Sequence, residues 1–147
     1  MDETQTEPLT DELLDELLAA PNLDSYLGER QPGRRTLSDY LQHLLDKKGL
    51  VQSKVLAETE IGYTYGYEII SGRKEHPARD RVLQLVFAMQ MDLKESARTL
   101  QAAGLSPLSP KNERDAIIIF CVNKGMSMME CNDELVKRGH KALYDPD

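Results

Sequence analysis

The sequence predicts an all-α protein, and three observations carry that expectation. Apolar residues recur at helical spacing along most of the chain, helix-start and helix-stop signals punctuate it, and no strand–turn–strand pattern occurs. The first periodic stretch is Leu9, Leu13 and Leu17, four apart, with Leu14 and Leu18 beside them. Thr10-Asp11-Glu12 suits its start and Pro21 its end, while Leu23, Tyr26 and Leu27 suggest a further turn or two. Gln31-Pro32-Gly33 is a break.

Beyond the break, Thr36-x-x-Asp39 opens a helix whose stripe is Leu37, Tyr40, Leu41, Leu44 and Leu45, stopped at Gly49. Two short helices follow, over about Gln52–Thr59 and Tyr63–Ile70, the second ended by Gly72. Pro77, at a first-turn position, opens a helix through about Gln90, with Val82, Leu83, Leu85, Val86 and Met89 facing inward. Asp92-x-x-Glu95 has the form of a capping box, and its helix stops at Gly104. Ser109-Pro110 is expected to start a helix containing Ile117–Phe120 and Val122. That apolar run also suits a strand, but the polar residues 112–115 before it favour helix. Ser127-x-x-Glu130 is a second capping box, matched by a Lys137-Arg138-Gly139 stop.

Composition places the chain among globular proteins: 147 residues, 40% hydrophobic and 29% charged, suffice for one core with appendages. The net charge of −7 is unevenly spread. Residues 1–33 hold nine acids against Arg30 alone, whereas residues 34–81 hold nine bases against seven acids. The division expected is therefore an acidic helical appendage over 1–33, a main helical domain over 34–104 and a helical extension over 105–147. The extension has too few apolar positions to stand alone, so it packs on the main domain or forms a dimer contact.

Two short helices joined by a three-to-four-residue turn, with longer helices on either side, have the order of a helix-turn-helix. The run Leu50–Leu56 through Ile61, followed by Tyr65-Gly66-Tyr67-Glu68-Ile69-Ile70-Ser71-Gly72-Arg73-Lys74-Glu75-His76-Pro77, resembles the lambda-repressor-like, Cro-type (Xre) family of regulators. Ile69, Gly72 and Pro77 meet that family's recurring tail, with one extra residue between Gly and Pro. The resemblance covers about residues 36–90. It implies a helix-turn-helix bundle and a transcriptional regulator that binds double-stranded DNA in a sequence-specific way. Gln52 and Ser53 would then meet backbone beside helix N-terminal amides, Tyr63, Thr64 and Tyr67 would enter the major groove, and Ser71, Arg73 and Lys74 would hold phosphate. None of the three groove residues makes a bidentate base contact.

The sequence departs from the family at four places. Leu56 replaces a small alanine, Glu60 a turn glycine and Gly66 a β-branched core residue, while Glu68 adds an acid to the second short helix. Size exchange reconciles two of them: Leu56 fills the space that Gly66 vacates. The alternative function is a non-enzymatic protein-interaction adaptor on the same fold.

Other features add little chemistry. There is no Gly-rich phosphate loop, serine elbow or Cys–His pattern, so no catalytic residue, enzyme activity or cofactor is expected. His43, His76 and His140 lack metal-ligand spacing, and no metal site is expected. Cys121 and Cys131 read as core or half-exposed thiols in a reducing compartment. Arg114-Asp115 is either a buried pair orienting its helix or a solvated first turn, and Met126, Met128 and Met129 are either core or an adaptable partner surface. The acidic leucine stripe either completes the core or docks over the DNA-binding face. Partners other than DNA are a second copy of the chain, since one such module covers little DNA, or a protein held by the terminal helices. No apolar run reaches the length of a membrane span and no signal peptide precedes the first helix, so a cytoplasmic location is expected.

Overall fold

A computed structural model of the chain describes residues 14, 15, 17–24 and 36–144. From residue 36 onward the chain forms seven helices: α1 (Leu37–Lys48), α2 (Gln52–Ala57), α3 (Tyr63–Ser71), α4 (Arg79–Ala88), α5 (Leu93–Ala102), α6 (Glu113–Asn123) and α7 (Met128–Lys137). No strand occurs among the described residues. The protein is an all-α helical bundle. α3 and α5 pack on α1, α2 packs on α3 and α4, and α6 and α7 pair with each other while touching α5 and α4 respectively. One apolar core runs through all seven, from Leu41 and Leu44 of α1 to Ile118 of α6 and Leu135 of α7. The helices after residue 105 thus share the core rather than standing apart from it.

Local chemistry explains most helix starts. The Thr36 side chain accepts from the Asp39 amide, and Asp92 and Ser127 each form a complete capping box, with Glu95 and Glu130. The Ile117–Phe120 run is helical, but α6 begins at Glu113 rather than Ser109. Asn112 supplies the cap by accepting from the Asp115 amide, and the Ser109 amide instead donates to the Asp115 carboxylate at 3.0 Å. The α4 start also shifts, because the chain stays extended through Ala78 and the helix opens at Arg79 rather than at buried Pro77.

That shift places Arg79-Asp80 at the head of α4 opposite Arg114-Asp115 at the head of α6. The two dipeptides pair crosswise. Arg79 grips both carboxylate oxygens of Asp115 at 3.0 Å, and Arg114 grips both of Asp80 at 3.1 Å. Arg114 and Asp115 therefore form neither a pair with each other nor a solvated first turn: each is bound to α4. The guanidinium groups also donate to the carbonyls of Ser106, Pro107, Lys141 and Ala142, tying down the segments either side of α6 and α7. Burial alone would raise the pKa of Asp115. The Arg79 and Ser109 hydrogen bonds, with the charges of Arg79 and Arg114, outweigh it and hold the carboxyl below its ordinary value.

Two expectations about apolar residues need correction. Leu14, Leu17, Leu18 and Leu23 are exposed, so none of these leucines completes the core; Leu9 and Leu13 lie outside the described residues. Met126 and Met128 pack against the core, but Met129 projects into solvent, because it lies on the outer face of α7. Cys121 and Cys131 are buried free thiols whose pKa values burial raises.

Candidate functional site

The surface carrying the residues singled out from the sequence is built by α2, α3 and the segment that follows. α2 and α3 are joined by residues 58–62, a connection longer than the expected three or four. The turn glycine is displaced with it. Gly62, at φ 91° and ψ 153°, adopts a positive-φ extended conformation that favours glycine immediately before α3, whereas Glu60 has no positive φ and needs no glycine. Glu60 instead donates its amide to Oε1 of buried Gln84 at 2.8 Å. Gln84 Nε2 in turn donates to the Leu143 carbonyl at 3.1 Å, so one α4 side chain fixes both the turn and the C-terminal tail. Within the turn, Thr59 is buried and its hydroxyl closes α2 by donating to the Leu56 carbonyl at 2.8 Å.

α3 crosses α2 closely because of the exchange of sizes. A Cβ on buried Gly66 would lie 3.1 Å from Leu56 Cδ1 and 3.2 Å from Cγ, and closer still to Cδ2. The Leu56 side chain therefore occupies the space that a β-branched residue at 66 would need. The far end of α3 is held by α1. Ser38 Oγ and Gln42 Nε2 both donate to the Ile70 carbonyl, at 2.6 and 3.0 Å, satisfying an acceptor that the helix end leaves unpaired. Ile69 and Ile70 are buried, and Gly72 ends the helix at φ 95° with its Cα side against Ser38.

With its inner face so committed, α3 presents an outer face to solvent. Tyr63 and Tyr67 are 59% and 56% exposed, and Thr64 between them is exposed. The Tyr63 hydroxyl reaches the Ser53 carbonyl at 3.4 Å, linking the two short helices. Ser53, Ser71, Arg73 and Lys74 are exposed and Gln52 is half-buried. Ser71 turns back, donating to the Glu68 carbonyl at 3.4 Å. All eight residues singled out from the sequence lie on these two helices and the segment just after α3. None is covered by the C-terminal helices.

The sequence reading missed one member of this surface. The Arg81 guanidinium of α4 lies 4.3 Å from the Tyr65 ring centre, and Lys74 Nζ lies 5.4 Å from the same ring. Two cations from different elements therefore share one aromatic platform. The only signal for it was a tyrosine nine and sixteen residues before two bases, which is no signal without the fold.

Charge at this surface is balanced rather than basic. Arg73, Lys74 and Arg81 are matched in number by Glu60, Glu68 and Glu75. Several bases that made residues 34–81 net positive have other duties. Lys48 bonds Glu95 at 2.9 Å and the Met89 and Gln90 carbonyls, Lys47 approaches Glu95, and Arg79 holds Asp115.

The histidines are dispersed. His43 stacks on Tyr40, His76 Nδ1 lies 3.2 Å from the Ala103 carbonyl, and His140 lies 3.3 Å from Glu113. Among the described residues no cluster of His, Cys, Asp and Glu is placed to hold a metal ion, and no helix is long and apolar enough to cross a membrane. Comparison with known protein families, curated proteins and solved structures found no match to this chain.

Proposed function

We propose that the chain is a non-enzymatic, sequence-specific DNA-binding regulator of the lambda-repressor-like, Cro-type kind, with α2 and α3 as its helix-turn-helix. The observation that carries this reading is the division of labour within α3. Its inner face is engaged by Leu56, Ser38 and Gln42, while Tyr63, Thr64 and Tyr67 are exposed and none of them belongs to the core. A helix so mounted fits the major groove with its N-terminal side chains toward base edges. Arg73, Lys74 and Arg81 then flank it as phosphate contacts, and Gln52 and Ser53 meet the backbone on the other side. Dimerisation would pair two such helices on half-sites, and Met129 and Val136, seven residues apart and both exposed on α7, give it an apolar face. The cytoplasmic location expected from the sequence belongs to the same proposal.

The balanced charge of the surface favours a second reading, an adaptor that uses the same exposed face on a protein. Selection of sheared genomic fragments on the full-length chain separates the two. The DNA reading expects a reproducible subset of fragments to be retained. Thr64→Ala and Tyr67→Ala would change which fragments are kept, and Lys74→Glu would weaken all of them. Retention no greater than that of an unrelated acidic protein at low salt would leave the adaptor reading.

A further inference from the structure

A second surface lies beside α2 but does not use the residues assigned to DNA. A cleft of about 860 Å³ runs between α2, the α4–α5 turn and the α6–α7 turn. Val51, Lys54, Val55 and Glu58 face it, the i, i+3, i+4, i+7 stripe of one side of a helix. Apolar side chains, three of them methionine, form its floor, with Val55, Met91 and Val122 buried and Met126 and Met128 half-buried, beneath a lining that is more polar than apolar as a whole. Methionine side chains adapt their shape to what they touch, which suits a surface that receives another molecule. The rim is acidic. Glu58, Asp92 and Glu130 are exposed against the single cation Lys54.

That rim selects among occupants. The leucine-rich residues 1–33 carry nine acids against one base, and the whole chain carries −7, so both the chain's own N-terminal segment and a second copy meet like charge at the cleft. A cationic partner does not. No sheet edge exists among the described residues, so an extended peptide has no strand to join, and a cleft walled by helices and their turns suits helix-in-groove recognition.

We infer that this cleft binds an amphipathic helix of a protein partner, with an apolar stripe at i, i+4 and i+7 flanked by lysine or arginine. The apolar stripe enters over Val55, Met91 and Met126, and the flanking cations meet Glu58, Asp92 and Glu130. The inference stands apart from the DNA reading, because Val51, Lys54 and Glu58 lie on the side of α2 away from Ser53.

The test uses the isotopically labelled full chain and three synthetic helical peptides: one of leucine and lysine, a counterpart with glutamate for lysine, and one with serine for leucine. The expected result is saturable binding of the leucine–lysine peptide, with chemical-shift changes at residues 49–58, 86–92 and 122–130. Val51→Lys weakens it at least tenfold and Glu58→Lys several-fold, with circular dichroism unchanged because both residues are exposed. Equal binding of the glutamate peptide would assign the cleft to an acidic segment and overturn the inference. So would equal binding of the serine peptide, shifts confined to the acidic N-terminal residues, or unchanged affinity in Val51→Lys.

Discussion

Most helices of the scaffold begin differently from the α2–α3 pair, whose second member carries the exposed tyrosines. α1, α5, α6 and α7 each start on a side-chain cap, from Thr36, Asp92, Asn112 and Ser127. α2 and α3 start on Val51 and Gly62, with no side-chain cap at either. A cap is worth about 1 kcal/mol, so the four capped helices are supported by their own sequence, whereas α4 starts on Ala78 without one. The α2–α3 pair depends on tertiary contacts instead: Leu56 against Gly66, Ser38 and Gln42 on the Ile70 carbonyl, Gln84 on the Glu60 amide. The α2–α3 pair is thus held largely from outside itself, and the outer face of α3 stays exposed.

Breaking those contacts sharpens the contrast. Leu56→Ala should cost about 3 kcal/mol, because Leu56 is buried and leaves a cavity beside Gly66. Gly66→Val alone should cost about 2 kcal/mol by overpacking against Leu56. The double variant restores a small residue on α2 and a branched one on α3, and urea unfolding should show it less destabilised than the two added together by at least about 1 kcal/mol. Simple additivity would remove the size exchange from the account.

On the scaffold side, Asp115→Asn leaves Arg79 without its carboxylate and should cost about 2 kcal/mol in the same measurement. The pH dependence follows from the lowered pKa of Asp115. Its contribution is present above the unfolded-state value of about 4 and is lost as pH falls through the lower folded-state value. The native chain should lose stability relative to Asp115→Asn across that acid range, and parallel curves would contradict the clamp. A smaller effect, about 1 kcal/mol, is expected for Gln84→Ala, which leaves the Glu60 amide and the Leu143 carbonyl without their partner. Amide exchange should quicken at residues 59–62 and at 143 together, since one side chain holds both.

The same contrast decides what the sequence could reveal. Capping boxes at Asp92 and Ser127 are local, three residues apart, and were legible to the residue; so was the stripe of α1. The Leu56–Gly66 exchange was readable only because the resemblance supplied the expected residue at each position. Gln84 was invisible, since a glutamine inside an apolar helix has no pattern that says it is buried and doubly bonded. Arg79–Asp115 and Arg114–Asp80 were invisible for a related reason: their partners are 36 and 34 residues apart, and only the approach of the α4 and α6 N-termini joins them. The charge count misled in the opposite direction, because it credited the surface with Lys47, Lys48 and Arg79, which the scaffold uses.

The central claim is that α3 and its flanking cations bind DNA, and the salt dependence of binding tests it most directly. For a retained fragment, the logarithm of affinity should fall linearly with the logarithm of salt concentration, by about 0.9 per phosphate contact. Lys74→Ala and Arg81→Ala should each flatten that slope by about 0.9 while leaving the unfolding midpoint near that of the native chain. Slopes unchanged in both variants, or no salt-dependent binding by the native chain, would contradict the account.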